Sequence, residues 1–368
     1  MKKLAVIGAG YLQLPLVLKA KKMGIEVHCF AWKDGAVCSE ISDFFYPMSV
    51  VDKEEILKVC RQIKIDGILT IATDIAVPTI SYIAEKLNLI SNSYQSALQS
   101  TNKYLMRQAF KEAKCSIPKF VEVDSDKSDF KLKYPLIVKP QDRSGSRGVC
   151  RVNNKEDLEL AIQIALHESI VKSAIIEEYI EGKEVSVESI SWQGKHYILT
   201  ITDKVTTNSP HFVEIAHHQP TTFSLEIIEK IKKETLKSLD ALQIKFGAGH
   251  TEIKITPEGE VYVIEIGARM GGDFIGSHLV QLSTGYDFLE GVINIALNSF
   301  EEPKKMISKY SGVYFLSLET KSLLNIFMQK NDFEIEKSIF NTDLKNISNS
   351  NDRSGYLIYQ SDVKIELL

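Results

Sequence analysis

The chain reads as a mixed α/β and α+β protein with an open parallel sheet at its N-terminus, a longer central region, and a small β-rich cap at its C-terminus. Residues 3–7 form a short apolar run, Gly8 and Gly10 punctuate it, and apolar residues return at helical spacing over 14–22 before a second apolar run at 26–30. This change of period from strand to helix and back is a βαβ opening. In the centre, runs at 250–255 and 261–266 are joined by Pro257-Glu258-Gly259, which has the chemistry of a hairpin turn. Beyond the polar Glu-Glu-Pro-Lys-Lys at 301–305, strand-like runs at 312–318 and 356–359 flank a turn-rich stretch over 341–353.

Taken in order, the alternation continues with a helix near 53–62, a strand at 67–71 and a helix near 78–87, so a first domain is expected over 1–95. A second, over 96–300, opens with a helix at 103–114 and a strand at 136–139. A helix near 155–166 and strands at 174–178 and 184–191 follow, then a polar, irregular segment over 203–223 and a helix at 225–242 ahead of the hairpin. Long irregular segments inside compact domains tend to carry function. The third domain is expected over 301–368.

With 368 residues, 44% of them hydrophobic, the chain can bury a sizeable core. Lys and Arg number 44 against 48 Asp and Glu, a net charge of -4, which argues against a surface built for nucleic acid. Cys29, Cys38, Cys60, Cys115 and Cys150 are isolated and odd in number, so neither a disulfide framework nor a zinc site is expected, and a reducing cytoplasm fits best. The start resembles a secretory signal, but Gly8, Gly10 and Gln13 interrupt its apolar run. No run approaches about 20 apolar residues, so no membrane span is expected. A homodimer is the general expectation for a soluble enzyme.

Gly8-Ala9-Gly10 invites a dinucleotide-binding reading, and with it an NAD-linked oxidoreductase. Gln13 stands where a third glycine would, however, and Phe30-Ala31-Trp32 lacks the acid that would hold a ribose. The competing reading is a tight strand-to-helix turn.

The centre is richer in chemistry. Lys139 ends an apolar strand before Pro140, where an open sheet presents groups to ligands, and its ammonium can neutralise phosphate oxygens. In Asp142-Arg143-Ser144-Gly145-Ser146-Arg147-Gly148, the glycines permit unusual backbone angles while Ser144, Ser146 and backbone N–H groups can wrap a triphosphate. The spacing is not that of a P-loop. Glu177-Glu178-Tyr179-Ile180-Glu181-Gly182 joins two strands and can offer backbone groups to an adenine edge, with Glu184 beyond it able to accept ribose hydroxyls. Glu252 and Glu265 sit on the two hairpin strands, where alternation can turn both to one face, and two such carboxylates need a cation between them. Magnesium suits, since it takes one or two carboxylates and completes its shell with phosphates and water. Arg269 follows, with Gly271 and Gly272 allowing close approach of backbone to ligand, and its guanidinium can grip a phosphoryl or acyl phosphate group. Glu214 and His217 face a second substrate or belong to a polar loop.

On these residues the chain resembles the ATP-grasp superfamily, over nearly its whole length. The N-terminal parallel sheet corresponds to that family's pre-ATP-grasp domain, followed by a two-lobed ATP-grasp domain and a β-rich cap, as in the carboxylase-like branch. Residues 212–217 and 265–272 look most similar to the L-amino acid ligases, which join two amino acids into a dipeptide. The resemblance implies ATP with Mg2+ (or Mn2+) as cofactors. It implies that Lys103 and Lys139 hold phosphates, that Ser144, Gly145, Ser146 and Gly148 close over them, and that Glu178 and Ile180 meet adenine. Glu184 would hold ribose, and Glu252 and Glu265 would hold metal. Glu214, His217, Arg269 and Gly271 would line the substrate site, with Asp74 approaching from the first domain. Two departures stand out: Gly267 replaces an Asn common in the family, and Asp273 lies where the acceptor pocket is tuned.

The expected activity is ATP-dependent ligation of small-molecule carboxylate and amine substrates through an acyl phosphate, with Arg269 and Lys139 in catalytic roles. The alternatives are a glycinamide-type or carbamoyl-phosphate-type substrate on the same scaffold, or a non-catalytic ATP-binding protein.

Overall fold

The computed structural model describes residues 1–123, 131–207, 212–304 and 306–368. Its first sheet is parallel, with β1 (Lys3–Ile7), β2 (Glu26–Ala31), β3 (Phe44–Pro47) and β4 (Gly67–Leu69) in the order β3-β2-β1-β4. Leu4 to Ile7 are wholly buried, because helices cover both faces of a parallel sheet. These helices include α1 (Leu14–Lys22), α2 (Lys53–Ile63) and α3 (Val77–Leu87).

The glycine turn after β1 is closed by its own neighbour. Gly8 has φ +109, and a Cβ there would lie 3.2 Å from Gln13 Cδ. Gln13 Oε1 accepts the Gly10 N–H at 3.1 Å, while its Nε2 donates to Ile71 O at 2.8 Å. The amide that a pyrophosphate would need is thus already engaged, which favours the tight-turn reading over a dinucleotide site.

Two capped helices lead out of this sheet. In α4 (Tyr94–Thr101) the Ser93 Oγ accepts the Ser96 N–H at 3.1 Å, and in α5 (Lys103–Glu112) the Asn102 Oδ1 accepts the Leu105 N–H at 2.9 Å. Such caps satisfy amides a helix start leaves free, and the second fixes Lys103 at the first position of α5.

The second sheet is antiparallel: β5 (Phe120–Val123), β6 (Leu136–Pro140), β7 (Cys150–Val152) and β8 (Ala174–Glu178), ordered β5-β8-β6-β7. Helix α6 (Leu158–Glu168) covers it, burying Leu158, Ala161 and Ala165 against Leu136, Val138 and Ile176. The third sheet holds eight antiparallel strands: β9 (Lys183–Trp192), β10 (Lys195–Thr206), β11 (Glu214–Gln219), β12 (Gly247–Ile255), β13 (Val261–Gly267), β14 (Tyr310–Leu316), β15 (Glu334–Ile339) and β16 (Gly355–Ser361). Their order is β13-β12-β9-β10-β11-β14-β16-β15. The β-rich C-terminal residues therefore continue this sheet through the β11 and β14 pairing, Ala216 opposite Tyr314. Helix α7 (Leu225–Ala241) lies on it, with Ile231 and Leu239 in a cluster that includes Val185, Ile253 and Val263.

The polar segment read as irregular over 203–223 is largely strand. Asp203 pairs with His218 and Lys204 with His217, with a register shift between Val205 and Thr206. Residues 208–211 of that segment lie outside the described residues. All five cysteines are unpaired, and among the described residues no helix is long and apolar enough to cross a membrane.

Candidate active site

A cavity of about 780 Å³ is walled by both antiparallel sheets and by Asp74. Of the residues singled out from sequence, Asp74, Lys103, Lys139, Ser144, Gly145, Ser146, Glu178, Ile180, Glu184, Glu214, Glu252, Glu265 and Arg269 line it. Gly148, His217 and Gly271 stand behind the wall. Gly148 has φ +70 and packs on Glu168 and Pro140, where a Cβ would lie 2.9 Å from each. His217 is buried beside Asp273, and Gly271 lies against Glu188 and His250.

The loop between β6 and β7 is anchored at its base, since Arg143 Nε donates to Glu168 O at 2.6 Å and Arg143 O accepts from Lys103 Nζ at 2.7 Å. Lys139 Nζ lies 2.8 Å from Glu177 Oε2, and Arg107 Nε lies 2.6 Å from the other oxygen. Burial opposes ionisation of Glu177, but Arg107 and Lys139 outweigh it and hold its carboxyl below the ordinary range. The Glu178 N–H is donated to Lys119 O and the Tyr179 N–H to Pro135 O, both at 2.9 Å, so neither amide is available to a purine.

Glu252 and Glu265 are direct partners across β12 and β13. Each is met by a lysine: Lys103 Nζ is 2.8 Å from Glu265 Oε1, and Lys204 Nζ is 3.0 Å from Glu252 Oε1. Lys204 also reaches Glu184 Oε1 at 2.5 Å and Glu214 Oε1 at 3.5 Å. Burial alone would discharge this ammonium, yet Glu184, Glu252 and Glu214 together raise its pKa well above the usual lysine value. His250 Nδ1 is bonded to buried Glu188, and its Nε2 lies 3.7 Å from Glu252 Oε1. Burial lowers the His250 pKa, but Glu188 overrides it and pushes it up to about 9.

The donor set fits magnesium. The two carboxylates are hard oxygen ligands, and ammonium groups already sit where positive charge is wanted. Among the described residues no three acidic, histidine or cysteine side chains converge to cage an ion unaided, so such an ion would complete its shell with phosphate and water.

At the other end, Arg269 is held by Asp74 through two parallel bonds, Nε to Oδ1 and Nη2 to Oδ2, both 2.9 Å. This pair accounts for Gly267: a Cβ there would come within 2.8 Å of Asp74 Oδ1 and 3.0 Å of Arg269 Cζ, leaving no room for the family's Asn. Asp273 is also engaged, its Oδ2 lying 2.8 Å from Arg353 Nη1 and 3.6 Å from His217 Nε2. Burial raises the Asp273 carboxyl pKa, but Arg353 outweighs it and holds the group below its usual range. Arg353 donates to the Glu214 carbonyl at 2.9 Å and lies over the Phe315 ring at 3.7 Å.

Sequence reasoning missed Lys204, the Glu188 and His250 pair, Arg107 and Arg353. His250 directly precedes the Thr-Glu-Ile-Lys motif, and Lys204 lies in the same polar segment as Glu214. Those positions were the available signals.

A lysine-lined cavity between two antiparallel sheets, with paired carboxylates on a hairpin, resembles the site of an ATP-grasp protein. Residues 132–277 match the ATP-grasp domain, and the chain is similar to ATP-grasp ligases that form carbon–nitrogen bonds. A formate-dependent phosphoribosylglycinamide formyltransferase from Prochlorococcus marinus subsp. pastoris is 25% identical over 288 residues, 73% of this chain and 70% of the relative. An alanine–anticapsin ligase from Bacillus subtilis is 26% identical over 279 residues, 65% of this chain and 58% of the relative. The crystal structure of an L-amino acid ligase from Bacillus licheniformis superimposes with a TM-score of 0.84 and 25% identity, covering 99% of this chain and 94% of that one.

Proposed function

We propose that the chain activates the carboxylate of one L-amino acid with ATP and passes the acyl group to the amine of another. The observation that carries this reading is the pairing of Glu252 with Glu265 in a cavity shared with Lys103, Lys139 and Arg269. The likeness to an alanine–anticapsin ligase and an L-amino acid ligase supports this substrate class. Glu214 and Arg269 in one cavity offer the opposite charges that a zwitterion needs.

A carboxylate oxygen attacks the γ-phosphorus, the bond to the bridging oxygen of ADP breaks, and an acyl phosphate remains. The amine nitrogen then attacks the acyl carbon, inorganic phosphate leaves with the carbon–oxygen bond electrons, and the nitrogen loses its surplus proton to solvent. Lys103 and Lys139 neutralise phosphoryl oxygens, which is most of what phosphoryl transfer asks of a protein. The Ser144 to Gly148 loop shields the mixed anhydride from water. Arg269 stabilises the oxyanion of the second step. Magnesium, or manganese in its place, would be held by Glu252 and Glu265 and would neutralise charge on the phosphates.

The formyltransferase relative favours a second reading, in which the same nucleotide chemistry serves a different carboxylate and amine. Amino acids screened in pairs for ADP release and for the dipeptide mass, with formate and phosphoribosylglycinamide as comparators, separate the two. Amino-acid-dependent release is expected, and release with formate alone would overturn the substrate assignment. E265Q is expected to abolish carboxylate-dependent ADP release, and unchanged turnover would refute the metal role of Glu265. The protein is expected to run as a homodimer in size-exclusion chromatography.

A further inference from the structure

Lys204 is a cavity residue for which the reaction above has no use. It lies on β10 opposite Glu184 on β9 and His217 on β11, and its side chain is 4% exposed. Three carboxylates surround it: Glu184 at 2.5 Å, Glu252 at 3.0 Å and Glu214 at 3.5 Å. They come from three strands, and each has a separate task in the proposed reaction, for ribose, metal and substrate. These side chains are 25–28% exposed, so their mutual repulsion is offset by the ammonium, and without it they would attract a cation whose shell water completes.

We propose that Lys204 is a positioning residue that holds the place of the metal, so that a divalent ion enters with the nucleotide rather than ahead of it. The proposal rests on the nucleotide and metal reading given above. Lysine suits the task because its ammonium is a point charge on a flexible stem and can change partners without losing a bidentate geometry. Once ribose hydroxyls occupy Glu184 and an ion occupies Glu252, the ammonium retains Glu214, which connects nucleotide loading to the substrate end. Lys103 makes the parallel exchange, having Glu265 at 2.8 Å before it turns to phosphate.

Mn2+ titration of the full chain, followed by electron paramagnetic resonance of the free ion, tests this with no carboxylate or amine substrate present. The wild type is expected to bind Mn2+ weakly alone and more tightly with ATP. K204M is expected to bind Mn2+ without nucleotide at least about tenfold more tightly than wild type, since affinity follows ligand charge, and to lose most of the ATP effect. K204R is expected to keep the weak nucleotide-free Mn2+ binding of wild type but to lose part of the ATP effect, because a guanidinium exchanges partners less readily, and K204M/E252Q to lose the gain. A folded K204M, checked by circular dichroism melting, whose nucleotide-free Mn2+ affinity is unchanged or weaker overturns the proposal. Should K204M not fold, K204M/E184Q removes one carboxylate with the lysine, with the same gain expected and the same result against it. Because neither amino acid is present, an error in the substrate assignment cannot mimic either outcome. No Mn2+ uptake by the wild type with ATP would overturn the metal reading and this role with it.

Discussion

The two ends of the cavity balance their charges by different chemistry. At the end proposed for the nucleotide, Glu252 and Glu265 are met by Lys204 and Lys103. At the end proposed for the substrates, Asp74 is met by Arg269 in a two-bond fork, and Asp273, which does not line the cavity, is met by Arg353 in a contact backed by the Phe315 ring. An ammonium makes point contacts and can exchange one oxygen for another, whereas a guanidinium fork fixes distance and plane together. The lysine end is thus suited to partners that come and go, and the arginine end to holding a shape.

The sharpest way to break this distinction is R269K, which keeps the charge and removes the fork. The expected result is a fall in kcat/KM for the amino acid substrates of about 10² to 10³-fold, the usual scale for losing a transition-state donor. The KM for ATP should change little, because the lysine end is untouched. Steady-state ADP release measures both, and a comparable rise in the ATP KM would show that the two ends are not separate.

A smaller effect follows from Gly267. In G267A the added Cβ would lie 2.8 Å from Asp74 Oδ1 and must displace the fork without removing any of its atoms. A misplacement of this kind is expected to lower kcat/KM by up to about 10²-fold, with the melting temperature nearly unchanged. Full activity in G267A would mean that the Asp74 and Arg269 geometry is dispensable.

The two ends also differ in how far they could be read from sequence. Glu252 and Glu265 were legible because apolar Ile253, Ile264 and Ile266 alternate with them on a hairpin, and Lys139 because it closes an apolar strand. The parallel sheet announced itself by the switch of period after Ile7. Lys204 was not legible: Thr202-Asp203-Lys204-Val205-Thr206-Thr207 has no apolar alternation, because the strand borders a polar cavity and hides no wide apolar face. Arg353 was hidden differently. It lies in a turn-rich stretch and meets Glu214 from 139 residues away, a contact that no local pattern encodes. His250 and Glu188 are separated by 62 residues and meet only because β12 and β9 are neighbours in the sheet.

Two histidines sharpen the comparison at the level of protonation. His250, at the lysine end, is held charged by Glu188, its pKa pushed up to about 9. His218, behind the arginine end, is buried against Tyr314 and bonded through Nδ1 to Tyr359 Oη at 2.9 Å. Burial, followed by the charge of Lys364 and the neighbouring His217, lowers its pKa from 6.5 to about 3. Below pH 6.5 the unfolded chain therefore binds a proton at His218 that the folded chain refuses, so the sign is a loss of stability on acidification. The contribution is fully present above pH 6.5 and is lost as the pH falls toward 3, at about 1.4 kcal/mol per pH unit. Urea denaturation at pH 6.5 and pH 5 is expected to show a loss of about 2 kcal/mol from this residue. H218Q keeps a polar partner for Tyr359 without a titrating ring, and should flatten the profile by that amount. An H218Q profile as steep as wild type would show that the core behind the arginine end admits charge as readily as the lysine end does.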